Sequence, residues 1–228
     1  MNSIRYKTAQ HLAYSWSVIP QVTQFDKADI TELENLRKKY NNKYASKGIK
    51  ITLTPILMKF TVLALKKFPK FNSSIDLNKK EIINKNYYHI GVAVDTPKGL
   101  FVPVIRDVDK KNVIQLSLEL NEIAEKARNG KLSLDEMQGA TFTISNQGGI
   151  GGTNFTPLVN TPEVAILGVS QSKIEPVHNS SNGQFEAKLI MPLSLSYDHR
   201  IIDGADSARF LRWVVDCLKE PTLVIFEG

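Results

Sequence analysis

Residues 193–211 read LSLSYDHRIIDGADSARFL, and two different periodicities meet within this segment. Up to Tyr197 apolar and polar residues alternate, which predicts a β-strand over residues 187–197. After Asp203 the apolar residues recur at helical spacing, which predicts an amphipathic helix over residues 203–219. The polar residues between these elements lie where a rigid strand stops, and such positions often carry functional side chains.

His199 and Asp203 are the candidate catalytic residues of this junction, and they are four positions apart. Histidine titrates near neutral pH and is the side chain that most often serves as a general base. The alternative is structural, with a hydrogen-bonded histidine followed by Asp203 as the N-cap of the last helix. In an arbitrary chain the structural alternative is the more common one, so this pair alone does not identify a reaction.

A second candidate site begins at Ser145, where a predicted strand over residues 140–146 ends. A glycine-rich segment, NQGGIGG, follows, and glycines there allow positive φ and close approach of a ligand to the backbone. The segment has neither the Gly-Lys-Ser/Thr of a Walker A loop nor the spacing of a dinucleotide fingerprint. A wide turn between strands is an equally good alternative.

The remaining pattern predicts one domain over residues 1–228, an α/β two-layer sandwich with a mixed, mostly antiparallel sheet covered by helices. A helix is predicted to begin near Asp29, with Asp29 or Thr31 opening a capping box. Further helices are predicted over residues 54–68 and 112–129, and strands over residues 88–95, 100–106 and 164–170. No repeat or linker divides the chain.

Composition excludes several classes of protein. The chain of 228 residues has one cysteine, Cys217, so disulfides within it and multi-cysteine metal sites are impossible. Its four histidines show no metal-ligand spacing, so we expect no metal site. An apolar run of about 18 residues and an apolar signal segment are both missing, so we expect an intracellular protein without a membrane span.

The net charge of +6 is concentrated in one region of the chain. Residues 31–80 contain twelve Lys and Arg residues against three Asp and Glu residues. Such a region attracts polyanions or a phosphorylated cofactor, although a solvated helix surface has the same composition. The region has no basic motif interleaved with aromatic residues and no recognition-helix pattern, so we expect no nucleic-acid partner.

The whole chain resembles the catalytic domain of dihydrolipoamide acyltransferases, the E2 core of 2-oxo acid dehydrogenase complexes, and more distantly chloramphenicol acetyltransferase. The D-H-R-x-x-D-G block together with the upstream F-T-I-S-N is a specific signature, whereas either half alone is weak. Residues 151–170 are most similar to bacterial pyruvate-type members, which transfer acetyl groups. Besides residues 193–211, the matching segments are IPQVTQFDKADITELENLRKKY, GVAVDTPKGLFVPVI, FTISNQGGIGG and PEVAILGVS.

This resemblance implies a role for each candidate catalytic residue. His199 would be the general base that removes a proton from a thiol, and the Ser145 hydroxyl would donate to the oxyanion of the tetrahedral intermediate. Asp203 would have a structural or polar-positioning role, paired with Arg200 or Arg5.

Contacts to coenzyme A are also implied by the resemblance. For coenzyme A or acetyl-coenzyme A they would fall at Arg37, Asp95, Ser145 and Asn146. Thr52 and Ala124 occupy two further positions of this kind, although an alanine side chain cannot form the hydrogen bond. Arg37 lies in the basic region, which thereby gains the nucleotide phosphates as a candidate ligand.

The resemblance further implies a homotrimer with each active site between neighbouring subunits, and a larger cage, with about 24 subunits favoured. Residues 223–226, LVIF, would be apolar and exposed, and would dock on a neighbouring trimer. The lipoyl group would be carried by a separate domain that this chain lacks, and the E1 and E3 components would join in the full complex. The implied location is the bacterial cytoplasm, or the mitochondrial matrix in a eukaryote.

Three alternatives remain open at the level of sequence. The first is a succinyl or branched-chain acyl group in place of acetyl. The second is a catalytically silent scaffold, which the presence of both His199 and Ser145 disfavours. The third is a free-standing acetyltransferase for a small alcohol, which the long match to cage-forming cores disfavours.

Overall fold

Helices and strands follow one another along the chain without the regular alternation of a doubly wound fold. The structure is a computed structural model that describes residues 3–227. The helices are α1 (Ser3–Val18), α2 (Thr31–Ala45), α3 (Leu53–Lys67), α4 (Val113–Arg128), α5 (Gly204–Lys219) and α6 (Leu223–Glu227). The strands are β1 (Gln21–Asp29), β2 (Ser73–Asp76), β3 (Glu81–Asn84), β4 (Ile90–Val92), β5 (Val94–Thr96), β6 (Gly99–Phe101), β7 (Val104–Ile105), β8 (Phe142–Asn146), β9 (Ala165–Val169), β10 (Lys173–Asn179) and β11 (Gln184–Asp198). Within this described part, no helix is both long and apolar enough to cross a membrane.

Seven strands form one mixed sheet in the order β1-β11-β9-β8-β4-β7, with β10 paired to part of β11. Strand β8 runs parallel to both of its neighbours, β4 and β9, and the other pairs of this sheet are antiparallel. Two short hairpins, β2-β3 and β5-β6, stand outside it. The predicted α/β sandwich with a mixed, mostly antiparallel sheet is confirmed.

The two faces of the sheet differ in chemistry because side chains alternate along each strand. One face contributes apolar residues such as Ile144 and Leu167 to the main core, where α3 and α5 also pack. The opposite face carries a row of small residues, Ser145, Gly168 and Ser194, side by side on three neighbouring strands. Ser145 therefore lies on the face that is turned away from the main core.

Helix α2 begins at Thr31 and has no capping box, so the capping boxes predicted for Asp29 and Thr31 are wrong. Ile30 occupies the N-cap position. The Asp29 carboxylate accepts from the Thr31 backbone N–H at 3.0 Å and from its hydroxyl at 2.6 Å. Thr31 Oγ1 in turn accepts from the Leu189 backbone N–H at 2.9 Å. The Asp29 carboxylate thus binds the first N–H of α2, and the Thr31 hydroxyl joins the start of the helix to β11, so neither side chain forms the predicted box with Glu32 or Glu34.

The other predicted elements are confirmed with shifted ends. Helix α4 carries a capping box between Asn112 and Gln115, and Gly130 follows it with φ of +66°. The predicted strands over residues 88–95 and 100–106 are each divided in two, and the four pieces pair as β4 with β7 and β5 with β6. Pro103 lies at the second division and has no N–H to donate to a strand ladder.

The apolar C-terminal segment is only partly exposed. Leu223 and Val224 in α6 are partly buried and pack against the main core. Phe226 is 84% exposed. The predicted exposed apolar end is therefore confirmed at Phe226 and is wrong for the two residues that contact the core.

Candidate active site

His199 follows strand β11 directly and is exposed. Its backbone N–H donates to the Pro20 carbonyl at 3.1 Å, so the segment that joins α1 to β1 holds this turn in place. Its ring lies 5.8 Å from the ring of the buried Tyr197. An exposed imidazole on a fixed backbone is able to take a proton from a bound group.

Arg200, one of the two arginines predicted to pair with Asp203, is instead bound to Asp198. Its Nη2 lies 2.6 Å from Asp198 Oδ2, and its Nε lies 2.9 Å from Oδ1. The physical reason is burial, because the Asp198 side chain is 1% exposed and a buried carboxylate requires a partner of opposite charge. The hydrogen bond to Asp198 raises the pKa of Arg200 above its ordinary value.

Asp203 occupies the N-cap position of α5, as predicted, but its side chain makes no capping hydrogen bond. Its backbone carbonyl accepts from the Ser207 N–H at 3.0 Å, and the residue is exposed. The position of Asp203 is thus confirmed, and its role stays a prediction.

Ser145 and His199 lie at opposite ends of the sheet within one chain. Ser145 is level with Gly168, and Gly168 is level with Ser194 on β11. His199 is five residues beyond Ser194, which is about 16 Å along the strand, and two strand spacings add about 10 Å across it. The two residues are therefore about 19 Å apart, far beyond the reach of their side chains.

The glycine-rich segment forms a tight turn directly after β8. Asn146 Oδ1 accepts from the Gly148 backbone N–H at 2.8 Å, and Asn146 Nδ2 donates to Thr54 Oγ1 on α3 at 3.1 Å. A Cβ atom at Gly148 would lie 3.0 Å from Asn146 Oδ1 and 3.3 Å from the Ser170 carbonyl oxygen. A side chain at this position would therefore crowd Asn146 and the Ser170 carbonyl, and the turn fixes Asn146 beside Ser145.

A cleft of about 470 Å³ opens next to this turn and brings three of the predicted coenzyme A contacts together: Arg37, Thr52 and Asn146. Arg37 is already paired there, because its Nε and Nη2 donate to the Glu34 carboxylate at 2.7 and 2.8 Å. Its Nη1 donates to the Ile51 carbonyl at 2.7 Å. The hydrogen bonds from Arg37 hold the pKa of Glu34 below its ordinary value. A phosphate at Arg37 would therefore meet a guanidinium whose charge is balanced by Glu34.

The other predicted coenzyme A positions lie outside the lining of this cleft. Asp95 is exposed on β5, and Ala124 on α4 packs against Val94 of the same strand. Strand β4 ends at Val92, level with Ile144 of β8, and Asp95 follows only three residues later, so it lies near the end of the sheet that carries Ser145. The candidate binding residues thus share one end of the sheet, opposite to the end that carries His199.

Sequence reasoning missed Glu163, a fully buried carboxyl at the His199 end of the sheet. Its oxygens accept from Thr143 Oγ1 at 2.7 Å and from Asn160 Nδ2 at 2.9 Å. Burial raises the pKa of Glu163 to about 7, and the two hydrogen bonds oppose that rise. Asn160 Oδ1 also lies 2.8 Å from His11 Nε2 on α1, and these groups line a cavity of about 590 Å³. A glutamate directly before the apolar run VAILGV was the available signal.

Replacing Glu163 with glutamine is expected to remove a pH dependence of stability. A folded-state pKa of about 7 against the ordinary 4.5 means that folding takes up a proton in this interval. The free energy of unfolding of the wild type therefore falls as pH rises from 4.5 to 7, by about 3 kcal/mol at most. Glu163→Gln can still accept from Asn160 Nδ2, and its amide N–H can donate to Thr143 Oγ1 in place of the bond that Glu163 accepts there. The variant should be more stable than the wild type at pH 8, as measured by Tm.

A matched control for this measurement is Glu175→Gln. Glu175 is partly exposed and pairs with Lys27 at 2.8 Å, so its loss should leave the pH dependence of the wild type intact. Equal slopes of Tm against pH in the wild type and Glu163→Gln would contradict the assignment.

The described part of the chain contains no set of side chains suited to bind a metal ion. Across residues 3–227 there is no group of three or more histidine, cysteine, aspartate and glutamate side chains that could hold an ion. What the arrangement offers is an exposed imidazole at one end of the sheet, and a hydroxyl with a polar cleft at the other.

The comparison with protein families decides where this chain belongs. The model of the 2-oxoacid dehydrogenases acyltransferase family (catalytic domain) matches residues 1–226. The chain belongs to this family.

Two curated relatives illustrate the similarity in sequence. The dihydrolipoyllysine-residue acetyltransferase component of the pyruvate dehydrogenase complex from Haemophilus influenzae is 51% identical over 222 residues, which are 96% of this chain and 39% of that protein. The component of the same name from Pseudomonas aeruginosa is 52% identical over 212 residues, which are 93% of this chain and 38% of that protein. The chain therefore spans about two fifths of the length of these relatives.

Solved structures agree with this assignment. Dihydrolipoamide acetyltransferase from Azotobacter vinelandii is 49% identical with a TM-score of 0.95, over 99% of this chain and 92% of that chain. The cubic core of the pyruvate dehydrogenase multienzyme complex is 50% identical with the same TM-score and coverage. Chloramphenicol acetyltransferase, at 15% identity and a TM-score of 0.58 over 92% of this chain and 94% of that chain, shares the fold.

Proposed function

We propose that this chain transfers an acetyl group between a dihydrolipoyl thiol and coenzyme A. The observation that carries the proposal is an exposed histidine on a fixed turn in a member of the acyltransferase family, together with Ser145 at a second site. Relatives about half identical to it are named as acetyltransferase components of the pyruvate dehydrogenase complex, which supports acetyl as the acyl group.

The chemistry needs one proton transfer and one oxyanion donor. A thiol, with a pKa near 8.5, is mostly protonated at neutral pH, and its thiolate is the nucleophile. His199 removes this proton, and the thiolate attacks the carbonyl carbon of the acetyl thioester on the other carrier. The Ser145 hydroxyl donates a hydrogen bond to the resulting oxyanion. The intermediate then expels the second thiolate, which takes the proton back from the imidazolium.

We infer that a complete site forms between two subunits, within a homotrimer. His199 and Ser145 are about 19 Å apart in one chain, so one chain cannot supply both to the same carbonyl carbon. A head-to-tail interface would bring the His199 end of one sheet to the Ser145 end of the next, and such interfaces close into rings. The similarity to a cubic core supports further assembly of trimers into a cage of about 24 subunits.

The proposed roles of Asp203 and of the coenzyme A contacts are supported by a similar structure and by their place in the fold. Work on the Azotobacter vinelandii relative concerned the catalytic roles of a serine, a histidine and an asparagine, the last two being four residues apart. His199 and Asp203 have the same spacing, which supports a positioning role for Asp203 through its neighbours. Coenzyme A would contact Arg37, Asp95, Ser145 and Asn146 at one end of the sheet.

The other components of the reaction would lie outside this chain. The lipoyl group is a substrate carried by a lipoyl domain, and the E1 and E3 components would act on the same carrier. The curated relatives named above are bacterial, which supports a place in the bacterial cytoplasm.

The test is a comparison of acyl donors with free dihydrolipoamide as acceptor. We expect acetyl-coenzyme A to be the best substrate by kcat/KM, ahead of succinyl- and isobutyryl-coenzyme A. A preference for either larger donor would move the protein to a related 2-oxo acid dehydrogenase complex. No transfer from any donor by the assembled protein would leave only the role of a scaffold.

A further inference from the structure

We propose that the ion pair between Asp198 and Arg200 positions His199 and balances the charge around it. The two residues flank the histidine in sequence, and their side chains bond directly to each other across it, with Arg200 Nη2 2.6 Å from Asp198 Oδ2. They act through His199, so they are positioning residues, and the inference rests on the proposed function of that histidine. The family match by itself assigns no role to this pair.

The backbone of Asp198 is anchored in two directions. Its N–H donates to the Val164 carbonyl at 2.8 Å, which ties it to the start of β9. Its carbonyl accepts from the N–H groups of Ile201 and Ile202 at 3.1 and 3.0 Å. The chain therefore turns sharply around Asp198, and His199 stands at the outside of this turn.

The side chain of Asp198 closes the turn. Its Oδ1 accepts from the Arg200 backbone N–H at 3.0 Å and from Arg200 Nε at 2.9 Å, and its Oδ2 accepts from Nη2 at 2.6 Å. The carboxylate is 1% exposed and the guanidinium side chain is 24% exposed. Such a two-pronged pair needs the planar fork of arginine, which fixes direction as well as charge.

Four parts of the chain contribute the charged and titratable groups around His199: the turn itself, α1, the segment before β9 and the start of α5. Asp198 and Arg200 lie within the turn. The others are Tyr14 on α1, which interacts electrostatically with Arg200, Glu163 before β9, and Asp203 and Asp206 at the start of α5, the last paired with Lys70. Removing one member of the ion pair therefore leaves one uncompensated charge on a residue adjacent to His199 in the chain.

The sign of that charge predicts opposite effects on catalysis at low pH. Arg200→Gln leaves the Asp198 anion, which favours the imidazolium, so a higher pH is needed before His199 acts as a base. Asp198→Asn leaves the Arg200 cation, which disfavours the imidazolium, so His199 acts as a base at lower pH. A merely structural pair would lower the rate in both variants without moving the pH profile in opposite directions.

The experiment measures kcat/KM for transfer from acetyl-coenzyme A to dihydrolipoamide between pH 5 and 9, with the assembled protein. We expect the acid limb of the kcat/KM profile to move to higher pH by about half to one unit in Arg200→Gln. In Asp198→Asn it should move to lower pH by a similar amount. The double variant should return the limb to its wild-type position while the rate stays about ten-fold or more below wild type. Arg200→Lys should keep the limb in place and recover only part of the rate.

A second measurement reports the imidazole without turnover. The rate of His199 modification by diethyl pyrocarbonate, followed by peptide mass as a function of pH, should shift in the same two directions. Since Arg200→Gln leaves a buried carboxylate unpaired, the isosteric Asp198→Asn carries the test if the first variant does not assemble. Unmoved profiles in both measurements would overturn the inference, whereas an active His199→Ala would overturn the proposed function instead.

Discussion

Replacing His199 with alanine is expected to slow acetyl transfer to dihydrolipoamide by about 10²-fold or more. The thiol would then have no base to take its proton, and only the small thiolate fraction present at neutral pH would react. KM for acetyl-coenzyme A should change little, because the cleft proposed to hold coenzyme A is lined by residues such as Arg37 and Asn146 and not by His199. The measurement is steady-state transfer at pH 7 with free dihydrolipoamide.

His178→Ala is the matched control for this variant. His178 lies on β10, is exposed, and contacts the Phe185 ring edge-to-face at 5.5 Å. It belongs to no part of the proposed site, so its replacement should leave the rate near that of wild type. A His199→Ala variant as active as His178→Ala would remove the assigned base.

The second large effect is recovery of activity when two inactive variants share one assembly. Ser145→Ala loses the oxyanion donor, which should lower kcat by about 10²–10³-fold. In a random one-to-one mixture with His199→Ala, about one interface in four combines an intact histidine with an intact serine from the neighbour. Co-expression of the two variants should therefore restore about a quarter of wild-type activity.

The control co-expresses Ser145→Ala with the Ser145→Ala/His199→Ala double variant. No interface in that mixture contains an intact serine and about half also lack the histidine, so the activity should not exceed that of Ser145→Ala alone. Recovery in the control, or none in the test mixture, would contradict a site shared between neighbouring subunits.

The elements that the sequence predicted are those whose apolar side chains point into the core of a single chain. Helix α5 and strand β11 are examples, since their buried residues recur at the expected period. Helix α1 and strand β1 were missed, because large side chains such as Tyr14, Trp16 and Phe25 are exposed on one chain. Because these apolar residues are not placed at the buried positions of the single chain, the sequence shows no clear helical or strand periodicity in either element.

Candidate site residues that lie at the ends of patterned strands could be predicted from the sequence. Features of the site that depend on which side chains are buried could not. His199 and Ser145 each follow or end a strongly patterned strand, and both were found on that ground. The choice of Asp198 as the partner of Arg200 depends on which carboxylate is buried, and neighbouring aspartates look alike in sequence. The raised pKa of Glu163 likewise results from a fold that encloses it.

The placement of His199 and Ser145 at opposite ends of one sheet has a consequence for a freshly synthesised chain. In the proposed arrangement, such a chain would carry one half of each of two different reaction centres and no whole one. Its specific activity should therefore fall on dilution below the concentration at which neighbours stay together, and rise again on reconcentration. Turnover would then be a direct assay of self-association for this protein.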